Sequence, residues 1–261
     1  MMRAAVLTLA LLSICCGGGG GIATGPSPLA LSESLSMRVQ TAHFQVFGGT
    51  TPDAMLRAAA DRLEAEYPRI LSDLGVGTHP MVTVRIWQDT TSFYNELTRF
   101  FGVRYQATGY ITGPAELRLL AGGNVTTNAV HEFAHAVSLD VNPRFANNPR
   151  WFWETVALYE NGEFVHPRQI ESISNGVFPT LQQLNADLNA DTQIYQLGFV
   201  LGEFIVSRYG RPAFLRLIET GADLQAVLGL SASEFEAAWQ SYVRQRYLSA
   251  VQSVSAVDYL S

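Results

Sequence analysis

Residues 131–135 read His-Glu-Phe-Ala-His, and their types and spacing could bind a catalytic metal ion. Residues four apart on a helix differ by about 40° around the axis and about 6 Å along it, so His131 and His135 can reach one ion from the same face. Zinc in a catalytic site takes three protein ligands and keeps a fourth position for water. Glu132 would lie beside that water and is the predicted general base.

The third ligand must come from another part of the chain. A continuation with glycine at 138 and a third histidine at 141 would indicate a metzincin, but Ser138 and Val141 occupy those positions. Glu154 follows His135 with 18 residues between them, within the apolar, aromatic-rich segment 151–159. A carboxylate among so many aromatic side chains is costly to bury unless it is paired or bound to a metal. We therefore predict Glu154 as the third ligand of one Zn²⁺.

Other acidic residues and histidines offer alternatives. Glu160 and Glu163 are rival third ligands, but Glu160 lies six residues past Glu154, off its helical face, and Glu163 follows the helix-stopping Gly162. Both are expected to be solvated. Three histidines have no partner at ligand spacing and are predicted to be surface or capping residues, namely His43, His79 and His166. Of these, His166 is close enough in sequence to line a cleft. The motif could also occur by chance on a solvated helix.

The elements that must position these residues follow from the hydrophobic periodicity. Strands are predicted at 37–47, 81–87, 106–111 and 115–120. Helices are predicted at 51–74, 89–101, 126–142, 150–161, 195–209, 211–220 and 231–248. A strand-rich front followed by a helical back indicates an α+β fold, with a small N-terminal mixed sheet and its helices before a mostly helical zinc-binding half. One domain is predicted over 37–248, with lobes at 37–123 and 124–248 and a C-terminal tail at 249–261.

The N-terminal residues 1–16 have the pattern of an export signal. Arg3 precedes an apolar run at 4–14 that is too short to span a bilayer as a mature helix. The run ends at Cys15 and Cys16, and residues 12–15 resemble the lipobox of bacterial lipoproteins. Cys15, or alternatively Cys16, is the predicted lipidation site, and the glycine-rich segment 17–36 the predicted flexible linker. An ordinary cleaved signal peptide would instead leave a periplasmic or secreted protein.

Composition narrows the class of function. The 261 residues are 48% hydrophobic, which suffices for a substantial core. Seventeen Lys and Arg residues against 23 Asp and Glu residues give a net charge of −6. No basic stripe interleaved with aromatic residues occurs, so a nucleic-acid partner is not expected. Only Cys15 and Cys16 are cysteines, so the mature domain must be held by packing and, locally, by metal.

The pattern His-Glu-x-x-His, followed by 18 residues and then Glu, resembles that of the gluzincins. The surrounding sequence resembles the small peptidase MA-like metallopeptidases of bacteria. In them an aromatic-rich Trp-x-x-Glu helix follows the zinc helix. A segment like Tyr195-Gln196-Leu197-Gly198-Phe199 then leads into a helix ending in Arg-Tyr-Gly, here 208–210. The resemblance covers 41–247 and is most specific over 126–159. Thr155 departs from it, since the family usually has glycine after the ligand, and a narrower pocket floor is expected.

The resemblance implies further roles. Tyr195, at the start of a helix after a loop, is the first choice for the donor that stabilises the oxyanion, and Tyr159 is the second. Either could instead simply pack its ring in the core. The strand at 116–120 would be the edge of the cleft and pair with the substrate backbone, unless it is an interior strand. The Gly-x-Met-x-Asn motif of related aminopeptidases is missing, so exopeptidase activity is not indicated.

These observations lead to one functional hypothesis and two alternatives. The hypothesis is a zinc metallopeptidase of the bacterial cell envelope, exported and held at the membrane by an N-terminal lipid anchor, with a peptide or protein substrate. One alternative is a non-catalytic, zinc-stabilised envelope lipoprotein. The other is hydrolysis of a non-protein amide, such as a cell-wall crosslink, because the same chemistry serves any amide carbonyl.

Overall fold

A computed structural model describes residues 32–104, 106–186 and 193–249. The predicted export signal and the candidate lipidation residues Cys15 and Cys16 lie outside the described residues. Most of the predicted linker at 17–36 and of the tail at 249–261 also lies outside them.

The N-terminal half contains a five-stranded mixed sheet. Its strands are β1 (Ser36–Gln40), β2 (Phe44–Gly48), β3 (Val82–Trp87), β4 (Gly109–Gly113) and β5 (Glu116–Leu120). They lie in the order β1-β2-β3-β5-β4. The pairs β2–β3 and β3–β5 are parallel, whereas β1–β2 and β4–β5 are antiparallel. The two edges of the sheet are therefore β1 and β4.

Helices make up most of the rest of the described chain. The first four are α1 (Asp53–Asp73), α2 (Thr90–Phe101), α3 (Val125–Val141) and α4 (Arg150–Asn161). A 3₁₀ turn (Pro167–Gln169) precedes the short α5 (Glu171–Ser174) and α6 (Leu181–Leu184). The last are α7 (Ile194–Tyr209), α8 (Arg211–Thr220), α9 (Leu224–Leu228), α10 (Ala232–Val243) and a π-helical turn (Arg244–Leu248). None of the described helices is both long and apolar enough to cross a membrane.

The two faces of the sheet are covered differently. Alternate residues of the central strands, such as Val84 and Leu117, face a large apolar core that also contains residues of α1, α3, α4, α7, α8 and α10. The helix α3 packs against α1, α4, β4 and β5 and so lies at the centre of this core. A smaller cluster of buried, mostly aromatic side chains packs α2 against the sheet. It consists of Trp87, Phe93, Leu97 and Tyr110. Strands and helical half thus share one main core.

The predicted α+β class is confirmed. One predicted strand was wrong, because 37–47 forms an antiparallel hairpin in which the chain turns at 41–43. Of the two positions considered for the strand at 116–120, edge and interior, the interior one is observed, since β5 pairs with β3 on one side and β4 on the other. The short helices α5, α6 and α9 were not predicted, because four or five residues are too few to show a helical period.

Candidate metal centre

The central helix α3 carries the His-Glu-x-x-His motif. Its residues from Ala129 to Ser138 are all buried, because α3 is covered on several sides by sheet and helices. His131, Glu132 and His135 are 9%, 7% and 4% exposed. The two imidazole ring centroids lie 4.6 Å apart and the rings are perpendicular. Both rings therefore reach the same small volume beside α4, as the four-residue spacing predicted.

The neighbouring helix α4 supplies the third member of the group. Buried aromatic residues anchor this helix in the core, and Glu154 itself is 5% exposed. Its Oε2 atom lies 3.2 Å from Nε2 of His131 and 3.6 Å from Nε2 of His135. The structure thus brings together the three residues that the sequence predicted as ligands, each with one ligand atom within 4.8 Å of the others.

This arrangement fits a bound cation. Oε2 of Glu154 is buried and has no hydrogen-bond partner among the described residues, although two imidazole nitrogens face it. Lone pairs on one oxygen and two nitrogens repel one another unless a proton or a cation lies between them. Two ligand atoms at about 2.0–2.1 Å from a tetrahedral ion are about 3.3–3.4 Å apart, close to the distances measured here. The group could therefore hold a metal ion.

The electrostatics of the four buried groups are strongly coupled. Burial opposes the charge on Glu154, but its interactions with His131 and His135 outweigh burial and hold its pKa well below the usual range. Burial likewise opposes the charge on His131, yet the proximity of Glu154 leaves its pKa raised. Burial lowers the pKa of His135 to about 4 and raises the pKa of Glu132 to about 8. Without a cation, therefore, Glu154 carries the negative charge of the group.

A stacked tryptophan orients one of the imidazoles. The ring of Trp153 lies parallel to that of His135, with 4.0 Å between the centroids and 5° between the planes. The Nδ1 atom of His135 is buried without a hydrogen-bond partner in the described part of the chain. Metal-binding histidines commonly use that nitrogen for an orienting hydrogen bond. Here the ring is held by stacking, a contact that sequence reasoning missed although Trp153 precedes Glu154.

An open cleft of about 950 Å³ reaches this centre at His131 and Glu132. Its wall includes His131 and Glu132 together with parts of β4, β5 and the loop that follows β5. Gly109, the first residue of β4, lies against the carboxylate of Glu132, and a Cβ atom there would be 2.6 Å from Oε1. An isolated glycine in a strand can indicate such a close approach, which is the signal that could have identified Gly109.

Tyr195 also lines the cleft. Its hydroxyl donates to Oε1 of Glu154 over 3.3 Å. Burial raises the pKa of Tyr195 far above its usual range, and the charge of Glu154 adds to this effect, so the hydroxyl keeps its proton. Tyr159, the second choice from sequence, does not line the cleft and packs instead against Phe199.

Close packing of α7 on α4 places Tyr195 at this distance. Gly198 and Gly202 lie three and seven residues after Tyr195, on the same face of α7. A Cβ atom at Gly198 would be 2.5 Å from Leu158, and one at Gly202 would be 2.6 Å from Tyr159. The two helices can therefore approach this closely only because both positions lack a side chain. Thr155, where glycine was expected, remains helical and is buried in α4, outside the cleft wall.

The rival acidic residues behave differently from each other. Glu160 was expected to be solvated, and this was wrong, because its side chain is fully buried and binds two arginines. Oε2 lies 2.9 Å from Arg69 of α1, and Oε1 lies 2.6 Å from Arg211 of α8. The carboxylate of Glu160 therefore links α4 to α1 and α8 through ion pairs, and it is not a metal ligand. Glu163 is exposed, as expected, and lines the cleft.

The other histidines are structural. His79 was expected at the surface but is buried, and its Nδ1 and Nε2 atoms lie 2.5 Å from Asp140 and 2.8 Å from the carbonyl of Pro114. His43 is partly exposed, stacks on Tyr67 and pairs with Glu64. His166 accepts a hydrogen bond from the backbone of Arg168 and caps the 3₁₀ turn, and it does not line the cleft.

The structure thus brings together a three-residue group that could hold a metal ion, a buried carboxylate beside it, a protonated tyrosine and an open cleft. A comparison of the chain with protein-family models and with curated proteins found no match.

Proposed function

We propose that this protein is a zinc-dependent metallopeptidase. The observation that carries the proposal is the convergence of His131 Nε2, His135 Nε2 and Glu154 Oε2 on one buried point, with Glu132 in the wall of an open cleft. Two imidazoles and one carboxylate are the ligand set of catalytic zinc in several peptidases. The resemblance of the motif and its spacing to gluzincins supports the same conclusion.

In this proposal His131, His135 and Glu154 hold the zinc ion. When bound, zinc supplies Lewis acidity, which polarises a carbonyl oxygen and makes a nearby water molecule more acidic. Glu132 accepts a proton from the attacking water and later returns it to the nitrogen of the leaving amine. Tyr195 donates its hydroxyl proton in a hydrogen bond to the developing oxyanion, exchanging its contact with Glu154 for one with the substrate.

The free edge of β4 would align the substrate. The resemblance implied that a strand preceding the zinc helix pairs with the substrate backbone, and the interior position of β5 leaves this role to β4. β4 begins at Gly109, in the wall of the cleft next to Glu132. An extended peptide added there would hydrogen-bond to backbone groups on the outer edge of β4 and carry its scissile bond past Glu132.

Export and lipid anchoring complete the proposal. They rest on the sequence pattern at residues 1–16, with Cys15 or Cys16 as the acceptor of the lipid. The enzyme would then act in the bacterial cell envelope, tethered to a membrane through its glycine-rich linker.

The variant Glu132→Gln tests the catalytic part directly. It keeps the size of the side chain and removes the base, so the purified protein should bind as much zinc as the wild type and cleave no peptide in a library digest. Metal content is measured by elemental mass spectrometry and cleavage by peptide mass spectrometry. Full activity of the variant at unchanged zinc content would reject this mechanism.

Removal of the metal distinguishes the catalytic proposal from a purely structural zinc site. The three ligands belong to helices that are already packed in one core, so a chelator should abolish cleavage with only a modest fall in melting temperature. A structural site would instead lose much of its stability. Cleavage of cell-wall fragments but not of peptides would favour the non-protein amide as substrate.

A further inference from the structure

One wall of the cleft carries a carboxylate to which the proposed mechanism gives no role. Glu163 lines the cleft together with His131, Glu132 and Tyr195, and it is exposed to solvent. The other described residues of the wall are glycines or neutral side chains, among them Asn124 and Asn128. No arginine is part of the wall as the structure describes it, and the chain contains no lysine.

The backbone and a buried amide hold Glu163 in place. Helix α4, which carries Glu154, ends at Asn161 and is capped by Gly162, whose φ of 76° lies in the left-handed region. Asn161, only 7% exposed, accepts a hydrogen bond from the backbone N–H of Glu163 over 2.8 Å. The amide of Asn161 also donates to Oε2 of Glu163 over 3.2 Å, so the carboxylate has a fixed direction. Its Oε1 atom accepts no hydrogen bond from the described residues.

Among the described residues, none forms an ion pair with the carboxylate of Glu163, and its side-chain hydrogen bond comes from the neutral amide of Asn161. A divalent cation at the metal centre would balance the charges of Glu154 and Glu132. Glu163 would then be the one carboxylate of the described cleft wall whose charge is left for a substrate to neutralise.

We propose that Glu163 is a specificity-determining residue, which selects peptide substrates with a cationic group at the subsite beside it. This inference rests on the proposed peptidase function. The cation is either the side chain of lysine or arginine, or the α-ammonium of a short substrate. An exposed ion pair of this kind contributes a modest amount to binding, so the preference is about three- to fivefold in kcat/KM.

A peptide series tests the inference. The substrates are internally quenched peptides that share one neutral sequence. Each peptide carries, at one of several successive positions, either lysine or Nε-acetyl-lysine, which has almost the same shape but no charge. Every peptide is made with a free N-terminus and with an acetylated one. Wild-type protein should favour a cationic member over its acetylated partner. Glu163→Gln, which keeps the side-chain volume, should abolish this ratio, and Glu163→Arg should invert it. If kcat/KM falls when the lysine side chain is acetylated, the recognised cation is that side chain. If kcat/KM falls when the N-terminus is acetylated, the recognised cation is the α-ammonium.

A matched control and a binding measurement keep the two proposals separate. Glu171 is exposed and lies outside the cleft wall, so Glu171→Gln should keep the wild-type ratio. Binding of the same peptides, labelled with fluorescein, to zinc-loaded Glu132→Gln protein is followed by anisotropy. If no peptide is cleaved, the peptidase proposal fails, while the binding ratio still tests Glu163. Equal ratios in wild type and Glu163→Gln, or no measurable binding of either peptide, would overturn the inference.

Discussion

The close contact between Gly109 and Glu132 leads us to predict a variant that loses turnover but still binds the metal. Gly109 begins the edge strand β4, and its φ lies outside the left-handed region, so alanine is compatible with the backbone. A Cβ atom there would lie 2.6 Å from Oε1 and 2.9 Å from Cγ of Glu132, and 3.0 Å from Leu119. The variant Gly109→Ala should therefore displace the carboxylate of the proposed general base.

The size of the effect follows from these distances. Ordinary van der Waals contact begins at 3.4 Å, so Oε1 must move by about 0.8 Å to accommodate the methyl group. A misplacement of about 1 Å at a reacting group can reduce the rate about 100-fold, which corresponds to about 2.7 kcal/mol of transition-state stabilisation. The three atoms nearest to the added methyl group belong to Glu132 and Leu119 and not to His131, His135 or Glu154, so zinc binding should be unchanged.

The assay compares Gly109→Ala with Gly122→Ala. Gly122 lies in the same cleft wall, has no positive φ, and a Cβ atom there would meet nothing within 4 Å. For each variant, kcat on a peptide from the library digest, the zinc content and the melting temperature are measured. Gly109→Ala should lose turnover at normal zinc content, and Gly122→Ala should resemble the wild type. Normal turnover of Gly109→Ala, or loss of its zinc, would refute the reasoning.

Three further variants test two packing contacts and the role of Tyr195. Glu160→Ala should lower the free energy of unfolding by about 2 kcal/mol in urea titrations, because two partly exposed arginines lose their buried partner. An unchanged unfolding midpoint would show that these two ion pairs do not contribute to the stability of the fold. Gly202→Ala should lower the same quantity by about 1–3 kcal/mol, since its Cβ atom would clash with Tyr159 at the α4–α7 contact. Gly77→Ala, with nothing within 4 Å, is the control, and equal stability of both variants would argue against the clash. Tyr195→Phe should bind zinc normally and lose about 10²-fold in kcat, whereas normal turnover would exclude an oxyanion role.

The sequence predicted best what depends on local periodicity. The four-residue spacing of His131 and His135 determines that both face one side of α3, whatever the helix packs against. Glu154 could be predicted because a short loop between α3 and α4 makes these helices neighbours, and because an apolar helix leaves a carboxylate few other partners. The predicted limits of α1, α3 and α4 differ from those observed by at most two residues.

The errors concern contacts between residues far apart in the chain. Glu160 looked solvated because it lies off the face of Glu154, but its partner Arg69 is 91 residues away on α1. His79 lacked a neighbour at ligand spacing, yet α3 brings it Asp140 from 61 residues away. The strand order likewise depends on how β3, β4 and β5 pair, which alternation along each strand does not encode. None of these partners could be identified from one segment alone.

The structure therefore assigns different parts of the proposed chemistry to different parts of the fold. The three ligands belong to α3 and α4, so cation binding depends on the packing of two helices in the main core. The position of the Glu132 carboxylate depends on Gly109 of the sheet, and that of the Tyr195 hydroxyl depends on the small residues of α7. Mutations in β4 or α7 can thus remove turnover while leaving the metal in place. Mutations at the α3–α4 contact should remove both together.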